Sequence, residues 1–256
     1  MGGLAGRHAL VTGGGSGIGA AIARALGAAG AAVTVAGRRK APLEAVAASL
    51  PKGQAAIADV TREADCAAMV AAARAAHGPI DIVIANAGAA ESAPFGKTDL
   101  AHWQRALGVN LTGSFLTVKA ALADLTRAPG AEGRRIVFVA STAGLKGYPY
   151  VAAYCAAKHG VVGLMHALSV ELAAKGITVN AVCPGYTETP LLDAAVDMIT
   201  GKTGRSVAEA RAELAKDNAH GRLIAPEEVA QTVLWLCSPG AASISGQAIA
   251  IAGGQL

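Results

Sequence analysis

Short apolar or β-branched runs alternate along this chain with longer Ala-rich stretches of helical character. The strand candidates fall at 8–11, 33–36, 54–58, 81–85, 136–140, 178–182 and 248–252, and the segments between them carry helix-like periodicity. Near-continuous apolar strands separated by helices imply a parallel sheet covered on both faces, so the expected class is α/β, doubly wound, with about seven strands. In such a sheet the strand carboxyl ends line one edge, and ligands bind there. The polar and glycine-rich clusters of this sequence mostly follow a predicted strand, so they should collect at that edge although they are far apart in the chain.

The first cluster is R-H-A-L-V-T-G-G-G-S-G-I-G at 7–19, a strand and glycine turn that lead into an Ala-rich run at 18–29. Glycines there let backbone N–H groups approach a pyrophosphate, and the following helix offers its positive end to the same anion. Two registers fit, Gly13-x-x-x-Gly17-x-Gly19 and Gly15-x-Gly17-x-x-Ala20, and spacing leaves both open. In a chain with 32 glycines the competing reading is a flexible turn. The strand before and the helix after favour a nucleotide site.

A second cluster places a hydroxyl, a phenol and an ammonium at Ser141, Tyr154 and Lys158. Tyr154 and Lys158 are four apart in an Ala-rich segment, which stacks them on one helix face. The lysine charge is expected to favour the phenolate and lower the tyrosine from its ordinary value near ~10. Taken alone, Y-x-x-x-K recurs on many surface helices, where a solvated Lys lies beside a half-buried Tyr.

Together these residues resemble the short-chain dehydrogenase/reductase family over nearly the whole chain. The resemblance rests on T-G-G-G-S-G-I-G at 12–19, D-V at Asp59 and Val60, A-N-A-G at 85–88, V-N-L-T-G at 109–113, Ser141 thirteen residues before Tyr154, Y-C-A-A-K at 154–158 and C-P-G-Y-T-E-T at 183–189. One departure is Ala85, where the family commonly has the first of two asparagines, and it bears on a hydrogen bond that braces the central sheet. The resemblance implies a Rossmann-type fold and an NAD(P)-dependent oxidoreductase that interconverts a ketone and a secondary alcohol. Hydride addition builds charge on the carbonyl oxygen. Tyr154 would protonate that oxygen, Ser141 would hold it, and Lys158 would tune the phenol and bond the nicotinamide ribose. Asn110 resembles the residue that keeps a water in a proton relay. The cofactor set it implies is Gly13, Ser16, Gly17, Ile18, Gly19, Arg38, Arg39, Asp59, Val60, Asn86, Ala87, Gly88, Tyr154, Lys158, Pro184, Gly185, Thr187 and Thr189. Within it Asp59 resembles the adenine contact and Thr189 the hydroxyl near the carboxamide.

Cofactor choice turns on V-T-V-A-G-R-R-K at 33–40. A carboxylate there would bond the ribose hydroxyls of NAD, but no acidic residue lies between Gly19 and Glu44. Arg38 and Arg39 would instead form charge-assisted bonds to a 2′-phosphate. NADP(H) is therefore favoured over NAD(H), although Ser16 stands where NADP-preferring relatives often carry a basic residue.

Composition narrows the remaining classes. The 256 residues suit one domain, 1–256, with a lid-like segment at about 190–225. The hydrophobic fraction of 53% comes largely from alanine, and no membrane span is expected. M-G-G-L-A-G has Gly6 where a myristoylation signal would want Ser or Thr, and the protein is expected in the cytoplasm. Four scattered cysteines without C-x-x-C, and no H-E-x-x-H, point to reduced thiols and no metal. A net charge of +4 without a long basic run leaves nucleic acid binding unsupported.

Small or apolar residues at the expected pocket, Ala89, Ala90, Leu145, Tyr148, Tyr150, Val151, Leu191 and Leu192, suit an apolar ketone, best a 3-oxoacyl thioester. The segment A-A-K-H-G-V-V-G at 156–163 is similar to that of 3-hydroxybutyrate dehydrogenases, but that subgroup is disfavoured, because no Gln follows A-N-A-G and no Lys shortly precedes Tyr154 to hold a small carboxylate. Lys202, Arg205, Arg211 and Lys216 could meet an acyl carrier's phosphates, but Ser206-x-x-Glu209 reads as a capping box before an ordinary amphipathic helix. The alternative function is a non-catalytic nicotinamide-nucleotide sensor on the same fold. A sugar-nucleotide epimerase would need a larger substrate domain. The helix at 154–175 carries Val161, Val162, Leu164, Met165, Leu168, Val170 and Leu172, too broad a set for one core-facing stripe, and predicts pairing with its copy. The resemblance extends this to a dimer of dimers with 246–256 at a second interface.

Overall fold

In a computed structural model that describes residues 3–127 and 133–255, the predicted alternation becomes a seven-stranded, wholly parallel sheet. Met1 and Gly2 of the amino-terminal motif, and Leu256 of the expected second interface, lie outside the described residues. The strands are β1 (His8–Thr12), β2 (Ala32–Gly37), β3 (Gly53–Ile57), β4 (Ile82–Ala85), β5 (Arg134–Val139), β6 (Ile177–Pro184) and β7 (Ala248–Ile251), in the spatial order β3-β2-β1-β4-β5-β6-β7. The chain reverses its direction of winding between β1 and β4, and that switch opens a crevice at their carboxyl ends.

Side-chain alternation divides the core in two. In β1, Leu10 faces one side together with Val83, Ile136, Phe138 and Val179, whereas Ala9 and Val11 face the other with Val33, Val35, Ile84 and Val137. Both faces of these strands are buried, which is why they read as apolar runs rather than alternating ones. The first layer is closed by α3 (Glu63–His77), α5 (Gly113–Leu125) and α6 (Ala152–Ala173), and the second by α1 (Gly17–Ala28), α2 (Lys40–Ala48) and α9 (Pro226–Cys237).

Asp81 was expected to start the fourth strand, but β4 begins at Ile82. The Asp81 carboxylate instead accepts from His8 N at 3.0 Å and from Arg127 Nη2 at 2.6 Å. A buried carboxylate needs such partners. Its backbone still bridges the neighbouring segments, with Asp81 N donating to His8 O at 2.8 Å and Asp81 O accepting from Arg135 N at 3.0 Å.

The run Leu100–Leu125 is long and apolar enough, by length and composition, to cross a membrane. It is α4 (Leu100–Leu107) and α5 joined through a π-helical turn at Gly108–Thr112. Its inner residues Leu116, Val118, Ala121 and Leu125 are buried in the sheet's first layer, the pattern of a core helix.

The lid-like segment contains α7 (Pro190–Thr203) and α8 (Val207–Ala215), which bury Leu192, Val196, Ala210 and Leu214 in a small core of their own. The capping box forms: Glu209 Oε2 accepts from Ser206 N at 2.8 Å, and Ser206 Oγ from Glu209 N at 3.2 Å. Arg211 pairs with Glu188 and Asp193, both at 3.0 Å, and Lys216 with Glu213 at 3.0 Å.

On α6, the broad apolar set is divided differently from the expectation. Val161, Met165 and Leu172 are fully buried against the chain's own sheet, so Met165 is not an exposed pairing residue. The outward stripe carries His159, Gly163, His166, Ala167, Val170 and Glu171.

Candidate active site

In the glycine turn, Gly13 and Gly17 have φ of 66° and 50°, a region that L side chains avoid. A Cβ on Gly13 would lie 2.7 Å from Asn86 Nδ2, one on Gly17 would lie 3.0 Å from Thr189 Cγ2, and one on Gly19 would run into the Gly13 carbonyl. Gly15 instead packs toward α2, where its Cβ would meet Pro42 and Leu43. Gly13, Gly17 and Gly19 are thus the glycines of the turn at which a Cβ would meet Asn86, Thr189 or the turn's own backbone. The first turn of α1 has no acidic residue, and Ser16 makes no side-chain cap, so the helix opens onto the crevice with its N–H groups uncapped by the chain. These features fit a dinucleotide pyrophosphate.

At the ends of β2 and β3 the surroundings are basic. Arg38 and Arg39 are exposed and line the crevice, and Arg39 Nη2 donates to Ser16 Oγ at 3.4 Å. A guanidinium therefore stands at the glycine turn even though the turn itself contains no basic residue. Asp59 Oδ1 accepts from Thr61 N at 3.0 Å and from Thr61 Oγ1 at 2.8 Å. Those two bonds, with smaller help from Arg38 and Arg62, hold its carboxyl below the usual range. Val60 is buried beside it and also lines the crevice.

The brace placed in doubt by Ala85 is made elsewhere. Asn86 Nδ2 donates to Thr12 O at 2.8 Å, and Thr12 Oγ1 accepts from Asn86 N at 3.1 Å and Ala87 N at 3.2 Å. Thr12 and Asn86 tie β1 to the loop after β4 across the switch point. Asn110 sits fully buried in the π-helical turn. Its Nδ2 donates to Ala89 O at 2.8 Å and Ala106 O at 2.9 Å, and its Oδ1 accepts from Ala89 N at 3.2 Å. Both amide protons are committed, so the side chain clasps the loop at Gly88 and Ala89, and only Oδ1 keeps a lone pair to offer.

Ser141 follows β5 by two residues and caps the short 3-10 turn Thr142–Gly144, its Oγ accepting from Ala143 N at 3.1 Å. Tyr154 and Lys158 stand one turn apart on α6, with the Lys158 ammonium 5.6 Å from the Tyr154 ring centroid. Lys158 donates to Val139 O at 2.8 Å. Burial pushes the Tyr154 phenol up to about 12, against the opposing pull of its hydrogen bond with Ser141. The expected lowering by lysine is thus overturned: desolvation dominates, and the ammonium is engaged by a carbonyl instead of the phenol. Burial also pushes Lys158 itself down to about 8.

The strand-end loop after β6 supplies the opposite wall. Thr189 caps α7, its Oγ1 accepting from Leu192 N at 3.3 Å, and faces Gly17. Pro184, Gly185 and Thr187 lie behind it, with Thr187 Oγ1 donating to Gly185 O at 3.0 Å. This loop is held by Asn218, which no local sequence pattern singles out. Fully buried, it accepts from Tyr186 N at 3.0 Å and donates to Tyr186 O at 2.9 Å and Arg222 O at 2.7 Å. A Cβ at Gly185 would collide with its Oδ1.

The resulting crevice encloses about 410 Å³. It brings together every expected cofactor residue except Pro184, Gly185 and Thr187, while Asn110 and Ser141 sit just outside its lining. Val109, Val139, Ala140 and Ala194 line it too and were not anticipated. Of the expected pocket residues, Ala89 and Leu191 line it. Leu192 is turned into the lid's own core and is not a pocket wall. Tyr150 is exposed, at a φ of 66°. The four cysteines are free and buried, and burial pushes Cys66 and Cys183 up to about 11 and Cys237 to about 12, so those three stay as inert thiols. Among the described residues, no cluster of His, Cys, Asp and Glu could hold a metal ion.

A family model described as short chain dehydrogenase matches residues 7–200. A Streptomyces coelicolor protein provisionally named a ketoacyl reductase is 38% identical over 96% of this chain and 95% of its own length. The cis-4-hydroxycyclohexanecarboxylate dehydrogenase of Sinomonas cyclohexanicum is 39% identical over 97% of this chain and 96% of its own. Among solved structures, a variant of the actinorhodin polyketide ketoreductase with NADPH superposes with a TM-score of 0.91, at 38% identity and 97% coverage of both chains.

Proposed function

The chain belongs to the short-chain dehydrogenase/reductase family, an NAD(P)-dependent oxidoreductase acting on CH–OH and C=O groups, and from that premise we propose that it reduces an apolar 3-oxoacyl thioester or similar ketone with NADPH. The observation that carries this reading is the convergence of Ser141, Tyr154 and Lys158 beside a glycine cradle flanked by two arginines. The alternative of a non-catalytic sensor is set aside, because the relatives are named as dehydrogenases and reductases.

The nicotinamide, when bound, supplies the hydride. Gly13, Gly17 and Gly19 would admit its pyrophosphate, with Ser16 and Ile18 at the turn; Arg38 and Arg39 would take a 2′-phosphate and Asp59 and Val60 the adenine. Asn86, Ala87 and Gly88 would line the ribose side, and Pro184, Gly185, Thr187 and Thr189 the carboxamide side. An NADPH-bound relative supports the phosphate assignment.

Ser141 would hold the substrate carbonyl by donating its hydroxyl proton, and Tyr154 would then protonate the developing alkoxide. A phenol held near about 12 keeps its proton throughout the neutral range, which suits a general acid in reduction. Lys158 spends one N–H on Val139 O, and an ammonium has two more to direct at the cofactor ribose. Asn110 would fix the loop at Ala89 and offer Oδ1 to a relay water. Ala89 and Leu191 give an apolar mouth.

We place these functions in one unit over 1–256, with 190–225 as the lid. Buried free thiols support a reducing compartment, the cytoplasm. The partner is a small ketone or alcohol; neither membrane nor nucleic acid is part of this reading. A second copy would cover the outward stripe of α6, and a dimer of dimers would add a second interface at 246–256. Turnover by Tyr154→Phe tests the core of the proposal. Activity should fall at least about 100-fold while NADPH still binds, and a variant keeping a tenth of wild-type turnover would refute it.

A further inference from the structure

Tyr148 joins two segments that the hydride-transfer chemistry leaves unconnected. Its hydroxyl donates a 3.1 Å hydrogen bond to Oε1 of Gln255, 107 positions along the chain. The same oxygen lies 2.8 Å from Thr142 Oγ1. A phenol has one proton, and it goes to Gln255, so Thr142 is the donor in the second bond. Thr142 is buried and directly follows Ser141, and its carbonyl accepts from Leu145 N at 2.9 Å and Lys146 N at 3.0 Å.

Two ring contacts add to the hydrogen bonds of Tyr148. Its ring meets that of Tyr186 edge-on, with centroids 6.4 Å apart, and the Lys146 ammonium lies 5.0 Å from its centroid. Tyr186 in turn interacts electrostatically with both Tyr148 and Tyr154. Between the 3-10 turn and α6 the chain has no regular structure, and Tyr150 carries the strained φ of 66°. A segment of this kind takes its shape from side-chain tethers. Gln255 is itself anchored: its N–H donates to Ala252 O at 3.3 Å, which also accepts from Ala219 N at 3.3 Å.

We propose that Gln255 is a positioning residue that acts through Tyr148 and Thr142 to set where the Ser141 hydroxyl stands, so that the carboxyl-terminal segment is part of the substrate site. The hydrogen-bond chain runs Thr142 to Tyr148 to Gln255. With it in place, the turn that Ser141 caps, packed on Lys158 of α6 at Gly144, is also tied to the carboxyl-terminal segment. Its kinetic consequence rests on the ketone-reduction reading; its structural consequence does not.

The test uses Gln255→Leu, which removes the acceptor at similar length, Gln255→Glu, which keeps one, Tyr148→Phe, and the Leu/Phe double variant. Gln255→Leu should lower kcat/KM for a ketone substrate about three- to tenfold, the scale of one lost hydrogen bond, with KM for NADPH unchanged. Gln255→Glu should retain activity, and the double variant should lose no more than Tyr148→Phe alone. Amide hydrogen exchange in 142–148 should accelerate in Gln255→Leu and not elsewhere in the sheet. Additive losses, a parallel rise in NADPH KM, or unchanged ketone kinetics would overturn the proposal. If wild-type enzyme reduces no ketone, the functional reading fails, and exchange alone then decides the tether: unchanged rates in 142–148 refute it.

Discussion

Lys158 gives its hydrogen bond to the carbonyl of Val139 at 2.8 Å, while the ring centroid of Tyr154, the residue one helical turn before it, is 5.6 Å away. The strand β5 thereby anchors an ammonium that α6 presents. Both groups are desolvated by the same crevice wall, and desolvation penalises each charged form: the phenol rises to about 12 and the ammonium falls to about 8. The pair is therefore neutral phenol plus cation at neutral pH, and it loses the cation first as pH rises.

That order gives a pH profile. The protonated lysine predominates below about pH 8 and is lost above it, whereas Tyr154 remains protonated. kcat/KM for NADPH, which reports ionisations of the free enzyme, should be level near neutrality and fall as pH rises through about 8. A plateau extending to pH ~10, the ordinary lysine range, would contradict the assignment.

Arg38 offers a separate handle on the cofactor. Arg38→Asp should place a carboxylate against a 2′-phosphate and shift the ratio of kcat/KM values for NADPH and NADH by about 10- to 100-fold toward NADH, the scale of a lost charged hydrogen bond. An unchanged ratio would mean that Arg38 only faces solvent.

Asn218 predicts a stability effect away from the chemistry. Asn218→Ala removes three hydrogen bonds and leaves the backbone of Tyr186 buried with fewer partners. The cost should be about 2 kcal/mol, lowering Tm by roughly 4–8 °C for a chain of this size. Calorimetry showing no change would indicate that water replaces the side chain.

For assembly, the contrast between two α6 positions is decisive. Val170 is 80% exposed and Met165 is 0% exposed. Val170→Glu should dissociate a complex built on the outward stripe while leaving a folded chain, as light scattering and circular dichroism would report. Met165→Glu should instead unfold the chain, because an unpaired charge would enter the core. A wild-type mass equal to one chain would exclude pairing altogether.

Much of this protein was legible in its residues because the signals were local. Seven apolar runs separated by helical segments specified the parallel sheet, since burial on both faces leaves its mark along the inner strands, though less on the edge strands β3 and β7. The Ser206 and Glu209 cap, the glycine turn and the one-turn spacing of Tyr154 and Lys158 depend on neighbours within a few positions, and each formed as read. What required the tertiary structure was every property that joins distant segments. Which glycines of the turn have no room for a side chain was decided in part by Asn86 and Thr189 closing on Gly13 and Gly17. Whether Lys158 lowers the tyrosine was decided by the Val139 carbonyl and by shared burial, neither visible from spacing. Met165 and Leu192 look like their apolar neighbours in sequence, and only packing assigned them to interior clusters rather than to a surface or a pocket. Asn218, Gln255 and Asp81 carry no local pattern at all. Hydrophobic periodicity is set by the residue's own element, whereas hydrogen-bond partners and desolvation are set by whichever segment the fold brings alongside.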